Sequence, residues 1–155
     1  MRKRIIERDH QEVPETEHHW LNLENMVQVE ITSEDAGHPI ESALVSGSGW
    51  RAAESGEQTL RLLFDEPQGV ELIHLAFYED ERERTQEFVL RYSTDEGQTY
   101  HDIARQQYNF NSPDSTREME DYRVDLAGVT ALELCIIPDI SGGSTRASLA
   151  EWRIA

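Results

Sequence analysis

An all-β antiparallel sandwich is the fold class this sequence predicts, and three observations lead to it. Short runs of alternating apolar and polar residues recur along the chain, the period of half-buried strands. Clusters of turn-forming residues separate those runs at short intervals. No stretch carries the apolar stripe of an amphipathic helix, which a parallel α/β sheet needs between its strands.

Residues 1–22 are polar, contain His10, His18 and His19, and read as an N-terminal arm or cap. Trp20 and Leu21 are its expected anchors, and residues 23–155 read as one sandwich domain. Val27, Val29 and Ile31 alternate with polar neighbours and define the first strand. Gly37 and Pro39 then punctuate a turn, and Ile40 to Val45 make one helical turn or an irregular piece. Leu60, Leu62 and Phe64 mark a strand that ends at the turn EPQG. Val70, Leu72 or Ile73, Leu75 and Phe77 mark the next, with a register ambiguity around Leu72. Residues 79–87 read as a charged loop.

Phe88, Leu90 and Tyr92 share one strand face, and TDEGQTY reverses the chain into a short strand from Tyr100 to Ile103. Residues 105–121 then read as the longest loop. Tyr122, Val124 and Leu126 resume the alternation, and after Gly128 the run LELCII points Leu132, Leu134 and Ile136 to one side. PDISGGSTR leads into a last strand, ASLAEWRI.

Charge and cysteine content narrow the function classes. Lys+Arg number 14 against 31 Asp+Glu, a formal net charge of -17. Nucleic-acid binding recruits excess positive charge, because each neutralised phosphate releases counterions, so no nucleic-acid partner is expected. Anionic membranes are disfavoured for the same reason, and no apolar run is long enough for a helical span. The start is basic for four residues with no apolar stretch after them, and Cys135 is the only cysteine. Those two features lead to the expectation of a cytoplasmic protein. Cys135, inside LELCII, reads as a buried small hydrophobe.

Three stretches together resemble the discoidin or coagulation-factor type C domains of the galactose-binding-like jelly-roll superfamily. The first is ITSEDAGHPIESAL, followed by Trp50, Arg51 and Ala52 and then GEQTLRLLFDEPQGVELIHLAF. The second is FVLRYSTDEGQTY, and the third is LELCII with ASLAEWRI. The likeness covers most of residues 27–154 and implies a jelly-roll scaffold whose end loops hold a shallow ligand site, commonly for sugars. The first loop of that family often carries an Asp on the way to a structural calcium; Val45 stands there in this chain, so no calcium and no other cofactor is expected.

Sugar recognition needs a flat aromatic face and planar hydrogen-bonding groups. The stretch QQYNFN supplies both, and Tyr108, Asn109 and Phe110 with Arg117 and Arg146 are the expected ligand contacts. The bland alternative is that Tyr108 and Phe110 merely tie a long loop to the core. Catalysis has no support in the pattern. No pair of acids stands out for glycoside hydrolysis, the histidines have no zinc spacing, and SGSG is not a nucleophile elbow. His74 is expected to face outward from its strand if Ile73 and Leu75 face inward, as a surface or cross-strand residue. The resulting expectation is a noncatalytic module binding carbohydrate or another small polar ligand. The alternative left open is an intracellular interaction domain, docking a protein partner or forming a homodimer.

Overall fold

The computed structural model describes residues 19–155 apart from Gly47 and the side chain of Ser46. Most of the expected arm, residues 1–18 with His10 and His18, lies outside the described residues. Eight strands follow in order: β1 (Val27–Ile31), β2 (Trp50–Ser55), β3 (Gln58–Tyr78), β4 (Arg84–Ser93), β5 (His101–Phe110), β6 (Arg117–Ile137), β7 (Arg146–Leu149) and β8 (Glu151–Ile154). A 3₁₀ turn at Leu23–Asn25 and a π-helical turn at Ser42–Ser46 are the only helical pieces among the described residues. No helix among them is long and apolar enough to cross a membrane.

The main sheet runs β1-β3-β6-β4-β5, with β8 also paired to β3, while β2 and β7 form a separate ribbon; all pairings are antiparallel. The architecture is an antiparallel β-sandwich, as the sequence predicts. Its layers are made by bending. At 21 residues each, β3 and β6 would run about 70 Å if straight, far more than a compact chain of this length can hold at a radius of gyration of about 15 Å. Their mutual register shifts between Leu63 and Gln68, again before Val70, and again before Leu72. On one side of these breaks β3 lies beside β1, on the other beside β8. Bulges of this kind increase local twist and turn a strand's direction.

The two halves thereby bury their apolar faces against each other. Leu60, Leu62, Leu90, Leu132, Leu134 and Ile136 share one core cluster with Ile73, Leu75, Phe77, Trp152 and Ile154. Phe77 of β3 stacks on Phe88 of β4 at 5.2 Å although the two strands are not neighbours in the sheet. Leu21 packs against the same cluster, and its N–H donates to the Ile154 carbonyl at 2.7 Å.

Several expectations are corrected here. The turn EPQG is a bend inside β3, and YRVDL and LELCII are one strand, because chain reversal is replaced by bulges. The register ambiguity at Leu72 has the same origin: Val70, Leu72 and Ile73 are all buried around a bulge. The long loop of residues 105–121 does not exist. β5 extends to Phe110 and β6 begins at Arg117, leaving only residues 111–116 between them. Polar side chains at alternate positions hid both strands, since β5 is an edge strand and the start of β6 turns Glu118 and Glu120 toward the interior. Likewise the charged loop ends at Glu83, where β4 begins with a buried Arg84.

Of the two positions the sequence allows an outward-facing His74, at the surface or between strands, the structure shows the second, and His74 is buried there. Strands on both sides enclose it: its Nδ1 lies 2.8 Å from Asp121 of β6 and its Nε2 3.3 Å from Glu151 of β8, with the Trp20 ring nearby. Cys135 is half-buried on the face opposite the core, beside Thr59 and Glu133, and burial pushes its thiol pKa up.

Leu134 is flanked by Leu60 and Leu90 on its two neighbouring strands and is fully buried. Leu134→Ala is expected to cost about 2–5 kcal/mol in urea unfolding, whereas Val45→Ala, at an exposed position, should stay within about 0.5 kcal/mol. Similar midpoints for the two variants would contradict this core.

Candidate functional site

A depression of about 250 Å³ opens where the β3–β4 loop, the start of β2 and strand β7 converge. Its aromatic wall is Tyr78, the last residue of β3, which is 47% exposed. Alternation explains the placement: Phe77 turns into the core, so Tyr78 turns out. The Tyr78 hydroxyl donates to Asp80 at 3.0 Å, which raises the phenol's pKa, and the Arg117 guanidinium lies over the ring at 5.6 Å. Opposite stand His38, Arg51 and Arg146, with Glu79, Asp80 and Glu81 along the rim.

Trp50 fixes the loop that carries His38. Its indole is 1% exposed and its N–H donates to the Ser33 carbonyl at 3.2 Å. The Arg51 carbonyl accepts from the Asp35 N–H, and the Arg51 N–H donates to the His38 carbonyl. His38 pairs with Asp35 at 2.8 Å, and this hydrogen bond holds the Asp35 carboxyl below its usual range. Gly49 closes the loop at φ +97°, where a Cβ would also approach the Leu149 carbonyl oxygen to 3.3 Å.

Beneath the depression a polar chain runs into the sandwich. Arg84 Nε donates to Glu79 at 2.7 Å, and its Nη1 donates to the Pro138 carbonyl at 2.7 Å and to Gln86 at 3.2 Å. The guanidinium also lies 4.6 Å from the centre of the Phe110 ring. Burial works against ionisation of Glu79, but the Arg84 hydrogen bond and the Glu81 backbone N–H outweigh it and lower the pKa. Gln86 in turn donates to Glu118 at 3.1 Å. Glu118 is 1% exposed, and desolvation, followed by the neighbouring Glu120 carboxyl, pushes its pKa up to about 8.

The expected ligand contacts are dispersed. Arg146 lines this depression. Arg117 lines an adjoining one on the other side of Tyr78. Asn109 and Phe110 border a third, near Asp139 and Ile140. Phe110 is 1% exposed under Arg84 and offers no stacking face, Tyr108 is half-buried edge-on to it at 4.9 Å, and the Asn109 side chain accepts from Thr85. Tyr78 and His38 were not singled out from the sequence. The available signal was an aromatic at an outward position directly before a charged loop.

A structural calcium in the first loop does not fit the residues described there. Glu34 accepts from the Ile40 N–H at 2.6 Å, Asp35 is held by His38, and the Val45 carbonyl accepts from the Arg153 guanidinium at 3.2 Å. The Val45 carbonyl, an oxygen the loop could offer a cation, is thus taken by a positive side chain.

The sequence matches the F5/8 type C domain over residues 28–151, and the chain belongs to that family. Solved structures with the same fold include a pectin-binding carbohydrate-binding module (22% identity, 84% of this chain and 90% of that one, TM-score 0.61). A family 32 module of AlyQ in complex with 4,5-unsaturated mannuronic acid is similar at 18% identity (89% and 98%, TM-score 0.62). So is the family 32 module of Clostridium perfringens NanJ in complex with galactose, at 13% identity (87% and 96%, TM-score 0.64). No curated protein sequence matches this one. The expectation of a cytoplasmic protein is overturned by these relatives, which are carbohydrate-binding modules of the secreted, extracellular kind, one of them joined to an alginate lyase domain. A lone cysteine had weighed too heavily, because a sandwich core this large needs no disulfide.

The buried acid predicts a pH signature. Folded Glu118 keeps its proton up to about pH 8, whereas the unfolded chain releases it near 4.5, the ordinary value for a glutamate. The folded state binds the extra proton between those limits, so this contribution to stability is complete below about 4.5 and declines as pH rises toward 8. Glu118→Gln keeps the shape and cannot ionise, so from pH 5 to 8 the wild type should lose stability relative to the variant in urea titrations. Parallel pH profiles would refute it.

Proposed function

We propose that this chain is a noncatalytic carbohydrate-binding module whose site is the depression beside Tyr78. One observation carries the reading: an exposed aromatic ring, held in place through its hydroxyl by Asp80, stands at the loop end among arginine and carboxylate side chains. The C–H face of a pyranose packs on such a ring, and the ring hydroxyls take both donors and acceptors from the rim. Arg146 and Arg51 supply donors, and Asp80 and Glu81 supply acceptors. The relatives with this fold bind pectin, an unsaturated mannuronic acid and galactose, which supports the class of ligand without selecting a member of it. A shallow, preformed surface of this kind suits the binding of a sugar.

Tyr78→Ala tests the reading, because the side chain is half outside and its loss should leave the fold intact. On a glycan array, followed by calorimetry with the best ligand, the variant should bind at least about tenfold more weakly than wild type. Unchanged binding by the variant would move the site elsewhere.

A further inference from the structure

We propose that the site selects saccharides bearing a carboxylate, and that Arg117 receives this carboxylate in a second depression beyond Tyr78; the proposal rests on the sugar-binding reading above. The second depression, about 380 Å³, shares Ser48, Tyr78 and Ala150 with the first and adds Arg117 and Met119. The first alone, at about 250 Å³, lies below the ~300–1,000 Å³ usual for small-molecule sites, and the continuous groove reaches into that range. A ligand of two or more sugar units matches the groove, with Tyr78 standing between the subsites.

Charge identifies the ligand class. With 14 basic residues among 31 acids, an arginine normally finds a carboxylate. Arg61, Arg84, Arg91 and Arg105 do so. Arg82 and Arg153 donate to Thr145 and to the Val45 carbonyl. Among the described residues Arg51, Arg117 and Arg146 have no ion-pair partner, and all three line this groove. Arg123, also without one, lies on the outward face of β6 away from both depressions.

The carboxylates nearby do not take up the role. Glu79 is held by Arg84, and Asp80 accepts from Tyr78. Glu151, the one carboxylate lining the second depression, lies 3.3 Å from His74. Arg117 therefore lies over an aromatic face and forms an ion pair with none of these carboxylates. A guanidinium lying over a ring at this distance keeps N–H donors for another partner, and a carboxylate can take two of them at once.

Trigalacturonate and its carboxyl-reduced counterpart, α-1,4-linked galactotriose, separate the charge from the sugar shape; one relative binds pectin, which makes this acid the probe. Both are titrated calorimetrically into wild type, Arg117→Met, Arg117→Lys, Tyr78→Ala and, as an equal loss of charge on the same strand face, Arg123→Met. Wild type should prefer the acid by about tenfold, the size of one good charge-assisted contact. Arg117→Met should abolish the preference, Arg117→Lys should restore part of it, and Arg123→Met should leave it intact. Equal affinity of wild type for both sugars, a preference that survives Arg117→Met, or array binding confined to neutral glycans would overturn the carboxylate assignment while leaving the Tyr78 site standing. Silence of every glycan on the array, or binding insensitive to Tyr78→Ala, would remove both.

Discussion

β3 and β6 each belong to both layers of the sandwich, and the rest of the molecule follows from that sharing. Two strands of 21 residues remain paired along most of their length yet change register three times, so the sheet bends where Phe64–Glu71 and Val124–Thr130 meet. The bend brings Phe77 onto Phe88 and sets Leu60, Leu134 and Trp152 in a single core. With one cysteine, no intrachain disulfide can brace the layers, and continuity of backbone across the bend does that work.

The same geometry delivers the site. The far end of β3 emerges from the core at Phe77, places Tyr78 outside, and leaves the next five residues to arch back into β4. Arg84 anchors that arch from below, bonded at once to Glu79, Gln86 and the Pro138 carbonyl. A buried guanidinium with several acceptors is costly to disturb, so the loop carrying Glu79 and Asp80 is held from beneath. The chain of contacts ends at Glu118, an acid kept protonated near neutral pH by its dry surroundings. Rigid support of this kind lets a shallow groove orient a flexible saccharide without spending binding energy on ordering the loop.

The acidic surface and the groove stand in contrast. Four described arginines are tied to carboxylates, and three of the four whose side chains make neither an ion pair nor a hydrogen bond, Arg51, Arg117 and Arg146, gather around Tyr78. Strong net charge keeps polyanions away from the body of the protein, so recognition of an acidic sugar is confined to the place where arginines outnumber uncommitted acids.

Sequence alone determined the strand-based fold class, because alternation of side chains is a local property of extended backbone. Leu60, Leu62, Leu90, Leu132 and Leu134 were legible as core on that ground, as was the likeness to the F5/8 type C family in the order of its turns. The boundaries between strands were not legible where inward positions are polar. Gln106, Glu118 and Glu120 break the apolar period, so β5 and the start of β6 read as a loop, with Tyr108, Asn109 and Phe110 as ligand contacts at its beginning. Tertiary structure alone decided that Phe110 lies under Arg84, that His74 sits between Asp121 and Glu151, and that Tyr78 meets Arg117 from a strand 39 residues away in register. Local pattern sets which way a side chain points; which surface it then meets depends on strands brought alongside by the bend.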